Sequence, residues 1–203
     1  MPVRSFIVGL ALLFACAAWA GNRPPADSMP NTAVLPLWER TAAEPPTTRL
    51  IVGDEAPLFT YLGTEGGWRP FSELLSDGPV LLVFGAREGD LMALQQARPL
   101  FLELGVSPVV VLDRRASSTA SLARRLNLSC PIIPDPMRAI ADLYNTLDPR
   151  SLRPAPSFFV LDENHRIRVL SRGPLPSAVE MLSASARGLN RPLPESTWNS
   201  IGS

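Results

Sequence analysis

Few residues in this chain have reactive side chains. Cys16, Cys130 and His165 are its only thiols and its only imidazole in 203 residues. The segment best placed for chemistry holds none of them. An apolar run, "PVLLVF", stops at Gly85 and gives way to "GAREGDLMAL", where three charged residues lead into a helix-like pattern. In α/β proteins, such strand-to-helix turns are where phosphate loops, nucleophiles and redox cysteines sit. "GAREG" is neither a G-x-G-x-x-G nor a Walker loop, so nucleotide binding is not supported. Asp90 suits helix capping and Gly89 eases the turn. The alternative is a helix start that binds a small anion or a peptide with help from Arg87.

Cys130 opens the apolar stretch "CPII", where a small side chain packs well between a helix end and a sheet. Two readings stay open: a buried, inert thiol, or a reactive one serving a one-cysteine activity or an intermolecular bridge. His165 lies in "DENHRI", a hairpin tip with no Ser or Cys near it in sequence, and reads as a solvated turn residue. One Cys and one His make no metal site without carboxylates. No metal and no cofactor are expected.

The elements that must position these residues follow from periodicity. "VLLVFG" and "SPVVVLD" are continuous apolar runs, as expected of strands buried on both faces. "PLFTYL" reads as a short strand before a turn at "GTEGGW", and "PFSELLS" as one or two helical turns. Between Asp90 and Leu104, apolar residues recur at helical spacing, with Pro99 expected to kink the helix. "SSTASLARRLNL" and "MRAIADLYNTL" each carry one apolar face, and "PII" is a brief strand between them. "SFFVLD", a turn and "RIRVLS" form a hairpin, and "PSAVEMLSASARGL" is a closing helix. The order β-α-β-α-β-α-β-α-β-β-α predicts an α/β fold with a central mixed sheet flanked by helices.

Hydrophobic residues make up 46% of the chain, enough for one domain plus tails. Nineteen basic residues balance 19 acidic ones, so no net field attracts nucleic acid or an anionic membrane. "DRRASS" and "ARRLN" read as solvated helix faces. At the N-terminus, Arg4, the apolar run "FIVGLALLFACAA" and Ala18-Trp19-Ala20 read as an export signal over residues 1–20. Cleavage after Ala20 removes Cys16, lipidation consumes it, and retention leaves an anchor; all three remain open. After cleavage or lipidation Cys130 has no intrachain partner, although an exported protein's compartment permits disulfides. Residues 21–50 are rich in Pro, Thr and Ala and read as a linker, pinned at most by Leu35, Leu37 and Trp38. Residues 187–203 read as a C-terminal tail, so the expected domain is 51–186, with disordered extensions on both sides. No internal repeat is present.

Particular blocks in this order resemble the thioredoxin-like superfamily, and within it the redoxins: the alkyl hydroperoxide reductase and thiol-specific antioxidant family, which is peroxiredoxin-like. "VGDEAPLFTYL", "GPVLLVFGA", "GVSPVVVLD", "CPIIPDPMRAIADLYNTL" and "APSFFVLDENHRI" are similar to the family's successive blocks over residues 50–173. The resemblance implies a thioredoxin-like fold with a thiol at the start of the helix after the "VLLVF" strand. There the helix dipole and free N–H groups favour a thiolate. By that register the two redox positions fall near Gly89 and Met92, yet no cysteine occurs from 17 to 129. The resemblance also matches Pro156 to the superfamily's cis-proline, beside which extended peptides or partner thiols bind; the plainer alternative is a proline entering a strand. The arginine that supports a peroxidatic thiolate in several branches is not matched, Arg153 being out of register.

These observations point to an exported redoxin-type chain without thiol redox activity, a binding or accessory module for another extracytoplasmic protein. Its partner-binding residues would be Pro156 and Arg87. It would meet a membrane only through an uncleaved or lipidated N-terminus. The rivals are a thiol oxidoreductase or peroxidase using Cys130 or a partner's thiol, and a purely structural domain on a tether.

Overall fold

A computed structural model of the chain describes residues 49–63 and 66–197. The signal-like segment, most of the Pro-rich stretch, and Cys16, Trp38 and Trp198 lie outside the described residues. The chain runs β1 (Thr60–Leu62), β2 (Trp68–Pro70), α1 (Ser72–Ser76), β3 (Val80–Phe84) and α2 (Glu88–Glu103). It continues through β4 (Ser107–Leu112), α3 (Ala116–Arg125), β5 (Ile132–Pro134) and α4 (Ala139–Leu143), then β6 (Ser157–Leu161), β7 (Ile167–Arg172) and α5 (Ala178–Gly188).

The central sheet is ordered β5-β4-β3-β6-β7, with β1 and β2 forming a separate antiparallel hairpin. Strands β3, β4 and β5 are parallel, whereas β6 runs antiparallel to both β3 and β7. The sheet is therefore mixed, as expected. All five residues of β3 are buried because helices cover one face and an aromatic cluster the other. Alternation splits them: Leu81 and Val83 pack with Leu91, Leu94 and Phe101 of α2 and Met181 and Leu182 of α5. Val80, Leu82 and Phe84 face Phe59, Phe71, Tyr144 and Phe159. Each such side chain contributes roughly 1.5–3 kcal/mol on leaving water. In the aromatic cluster Phe59 stacks on Phe71 at 4.4 Å, and the Tyr144 hydroxyl donates to the Pro57 carbonyl at 3.0 Å.

Several elements depart from the pattern in the sequence. Strand β2 runs from the end of the expected turn, Trp68, into the start of the expected helical stretch, Pro70, its side chains all exposed and so lacking any alternation to read. Helix α4 is five residues, shorter than its apolar periodicity suggests. Arg138 (φ 60) and Asn145 (φ 53) adopt left-handed backbone on either side of it, which an α-helix cannot continue through. Helix α2 runs through Pro99 as one element. The segment after α5 folds back: Arg191 donates to the Leu104 carbonyl at 2.9 Å, Leu193 packs on the core and Thr197 is buried. At the other end of the domain, residues 53–54 exchange backbone hydrogen bonds with Ile167, covering the start of edge strand β7.

Candidate functional site

Parallel strands β3, β4 and β5 all point their C-terminal ends one way, and β6 begins there. The loops at that end form the mouth of the fold, the ordinary place for a ligand in an open α/β sheet. Gly85 leaves β3 with φ 66, a left-handed conformation that costs glycine little. A Cβ there would lie 2.7 Å from the Pro156 nitrogen, 2.8 Å from the Ala155 carbonyl carbon and 2.9 Å from the Pro154 carbonyl oxygen. The turn after β3 thus rests directly on the backbone leading into β6.

Pro156 does face the turn, but the cis arrangement does not occur: no cis peptide bond is present among the described residues. Pro156 instead enters β6, its carbonyl accepting the Gly173 N–H at 2.9 Å and extending the β6–β7 ladder by one step.

Helix α2 begins one residue after Arg87, the N-cap, whose backbone is extended. The Arg87 N–H donates to Asp90 Oδ2 at 2.7 Å, so Asp90 does cap the helix, reaching back from its third residue. Glu88 is held by Arg125 of α3 through two contacts of 2.6 and 3.0 Å. The Arg125 hydrogen bonds are the main reason the Glu88 carboxyl sits below its ordinary range, with Arg114 adding a smaller pull. Gly89 lies exposed on the second residue of the helix, and a Cβ there would meet nothing within 4 Å. Met92, one turn on, is 48% exposed.

Beside this turn lies a cleft of about 170 Å³ lined by Gly85, Ala86, Val111, Asp113, Arg153 and Pro154, with Leu112 completing its wall. Arg153, out of register in sequence, therefore does reach the mouth. Arg138 ties the surrounding loops together: its Nη1 donates to the Leu152 carbonyl at 3.0 Å, and its Nε lies 3.9 Å from Asp113. Asp135 caps α4 from a buried position, accepting the Ala141 N–H at 3.0 Å. Burial raises its pKa, against the pull of the N–H groups of Ala141, Ile140 and Ala139.

Cys130 is elsewhere. It precedes β5, two residues ahead of Ile132, which pairs with Val110. Its neighbour Ser129 exchanges hydrogen bonds of 2.9 Å with Gln95 in the middle of α2. Gln95 lies roughly 9 Å along the helix axis from Gly89, from the ordinary helical rise. Cys130 is buried, and desolvation raises its thiol pKa, partly opposed by a backbone hydrogen bond and Arg98. His165 sits at the β6–β7 turn with φ 62, its carbonyl accepting the Ala56 N–H. Among the described residues, no group of three or more His, Cys, Asp or Glu could hold a metal ion. Nor is any helix among them long and apolar enough to cross a membrane.

The site thus gathers Arg87, Gly89, Asp90, Met92 and Pro156 at one mouth and leaves Cys130 and His165 outside it. Sequence reading missed Gly85, Asp113, Arg138 and the Glu88–Arg125 pair. Only Gly85 had a signal, a glycine at a strand end; the others depend on pairings across loops distant in the chain.

A profile of the AhpC/TSA family matches residues 52–170. The chain belongs to the AhpC/TSA family. The fold of this redoxin is shared with solved peroxiredoxins. Peroxidoxin BcpB from Mycobacterium tuberculosis superposes with a TM-score of 0.62 at 20% identity, covering 68% of this chain and 96% of that one. A cysteine-to-serine variant of Xylella fastidiosa PrxQ gives 0.61 at 12%, covering 71% and 99%. The yeast mitochondrial 1-Cys peroxiredoxin gives 0.60 at 21%, covering 70% and 78%. No curated protein matches the sequence of this redoxin.

Proposed function

We propose that this redoxin is a binding or accessory module that carries out no thiol redox chemistry and meets another extracytoplasmic protein at the mouth of its fold. One observation carries the reading: the helix start where a redox thiol would be activated has room for a side chain at Gly89, and no cysteine occurs from 17 to 129. The contacts that shape the mouth are intact without it. Asp90 caps α2, Arg125 grips Glu88, and Gly85 packs on Pro156. Glycine, aspartate and methionine cannot replace a thiolate as a nucleophile toward peroxide or disulfide. Export is supported by the signal-like N-terminus.

The rival, a thiol enzyme using Cys130, is disfavoured by that residue's burial, its raised pKa and its distance from α2's N-terminus. Purified mature protein mixed with peroxide, or with insulin and dithiothreitol, separates the two. The module reading expects no turnover above background. Turnover that disappears in Cys130→Ser would overturn it.

A further inference from the structure

Each of the 19 basic residues is an arginine, and six of them stand in the loops at the mouth. The loops at the mouth carry Arg87 after β3, Arg114 and Arg115 after β4, Arg138 after β5, and Arg150 and Arg153 before β6. The acids there are already engaged. Glu88 is paired with Arg125, Asp90 takes a backbone N–H, Asp135 is buried under α4, and Asp148 accepts the N–H groups of Arg150 and Ser151. Asp113 faces Arg138. The guanidinium groups of Arg115, Arg150 and Arg153, by contrast, make no hydrogen bond or ion pair among the described residues, and Arg114 is engaged only by its weaker pull on Glu88.

Two exposed apolar side chains adjoin these charges. Met137 is 62% and Leu152 56% exposed, and the Arg138–Leu152 hydrogen bond brings their loops together. The N-terminal end of α2 adds partial positive charge at the same place.

We infer that this mouth docks an acidic, extended segment of a protein partner, its carboxylates meeting Arg153 and Arg114 and its apolar side chains lying on Met137 and Leu152. The inference rests on the module reading and adds the chemistry of the partner. Guanidinium groups bind carboxylates in a two-pronged geometry that an ammonium cannot offer. Charge complementarity of this kind steers encounter and sets specificity. Single-stranded nucleic acid fits less well, since it needs aromatic platforms. The exposed aromatic among the described residues, Trp68, stands on the separate β1–β2 hairpin.

The test is fluorescence anisotropy of a fluorescein-labelled peptide of alternating glutamate and leucine, titrated with the mature protein. Its glutamine twin and a labelled oligothymidylate run in parallel. The expected result is saturable binding of the glutamate peptide alone. It weakens at about 1 M salt, where charges are screened within roughly 3 Å. The double variant Arg114→Glu/Arg153→Glu should lose at least tenfold in affinity, while Arg187→Glu on α5 leaves it unchanged. Both variants alter exposed side chains, and a thermal melt confirms that they fold. Equal binding of the glutamine twin, undiminished binding by the double variant, or tighter binding of the oligonucleotide would overturn the inference. So would a dimer, seen by sedimentation, that dissolves in the double variant, because the face would then belong to a second copy. None of these outcomes alters the peroxide and insulin assays, so the acidic partner can fail while the module reading stands.

Discussion

Placing a thiol where the fold leaves room for one is the most direct challenge to this account. In Gly89→Cys on a Cys130→Ser background, the only thiol among the described residues sits on the second residue of the sixteen-residue helix α2. The new Cβ meets no heavy atom within 4 Å, and cysteine is a slightly better helix former than glycine. Stability should therefore hold within about 0.5 kcal/mol of the Cys130→Ser parent. An exposed helix N-terminus favours a negative charge by about 0.3–1 kcal/mol, which is about 0.2–0.7 pKa unit. Free guanidinium groups at the mouth add to this, and the Asp90 carboxylate subtracts. The thiol should thus titrate roughly half a unit below the ordinary value of about 8.5. Asp90→Asn on the same background should lower it further by removing the nearby negative charge. Iodoacetamide alkylation rates across pH, with thiolate absorbance as a second readout, measure both values. A thiol that titrates at or above the ordinary value would refute the reasoning, because this helix start would then not be electropositive.

Further expectations concern residues that hold the mouth and the core. Cys130 should react with Ellman's reagent only after unfolding, read against Cys130→Ser, since it is buried and its pKa is raised. Gly85→Ala should destabilise by about 1–3 kcal/mol in urea titration, because its Cβ would strike the Pro154–Pro156 backbone in a left-handed conformation. Asp135 has a folded pKa above its unfolded one, so its native form holds a proton longer, and its contribution to stability falls as pH rises from the unfolded pKa through the folded one. Asp135→Asn keeps an acceptor for the α4 N–H groups and removes that loss. Its melting temperature should gain on the wild type as pH rises through this window and then level off.

The elements that build the sheet were legible because burial on two faces leaves unbroken apolar runs, as in β3 and β4. The helices α2 and α5 showed themselves through apolar spacing, and the Ser177–Glu180 capping box of α5 is written in the sequence. Strand β2 was not legible, since an exposed hairpin arm has no buried face to impose alternation. The ends of α4 were hidden because two non-glycine residues adopt left-handed backbone there. Within the site, the absence of cysteine from 17 to 129 and the capping role of Asp90 could be read from type and position alone. The convergence of Arg153 with Gly85 could not, since it comes from β6 running beside β3, a pairing between segments far apart in the chain. The turnback after α5 was equally hidden: Arg191 finds its acceptors in the loop after α2, while composition there suggests only a tail.

Gly85 has one more consequence. With no side chain between them, the turn after β3 and the backbone entering β6 are in contact, so the two lips of the cleft have nothing to close over. Under the module reading, a partner that docks beside this contact would lose freedom chiefly in its own chain.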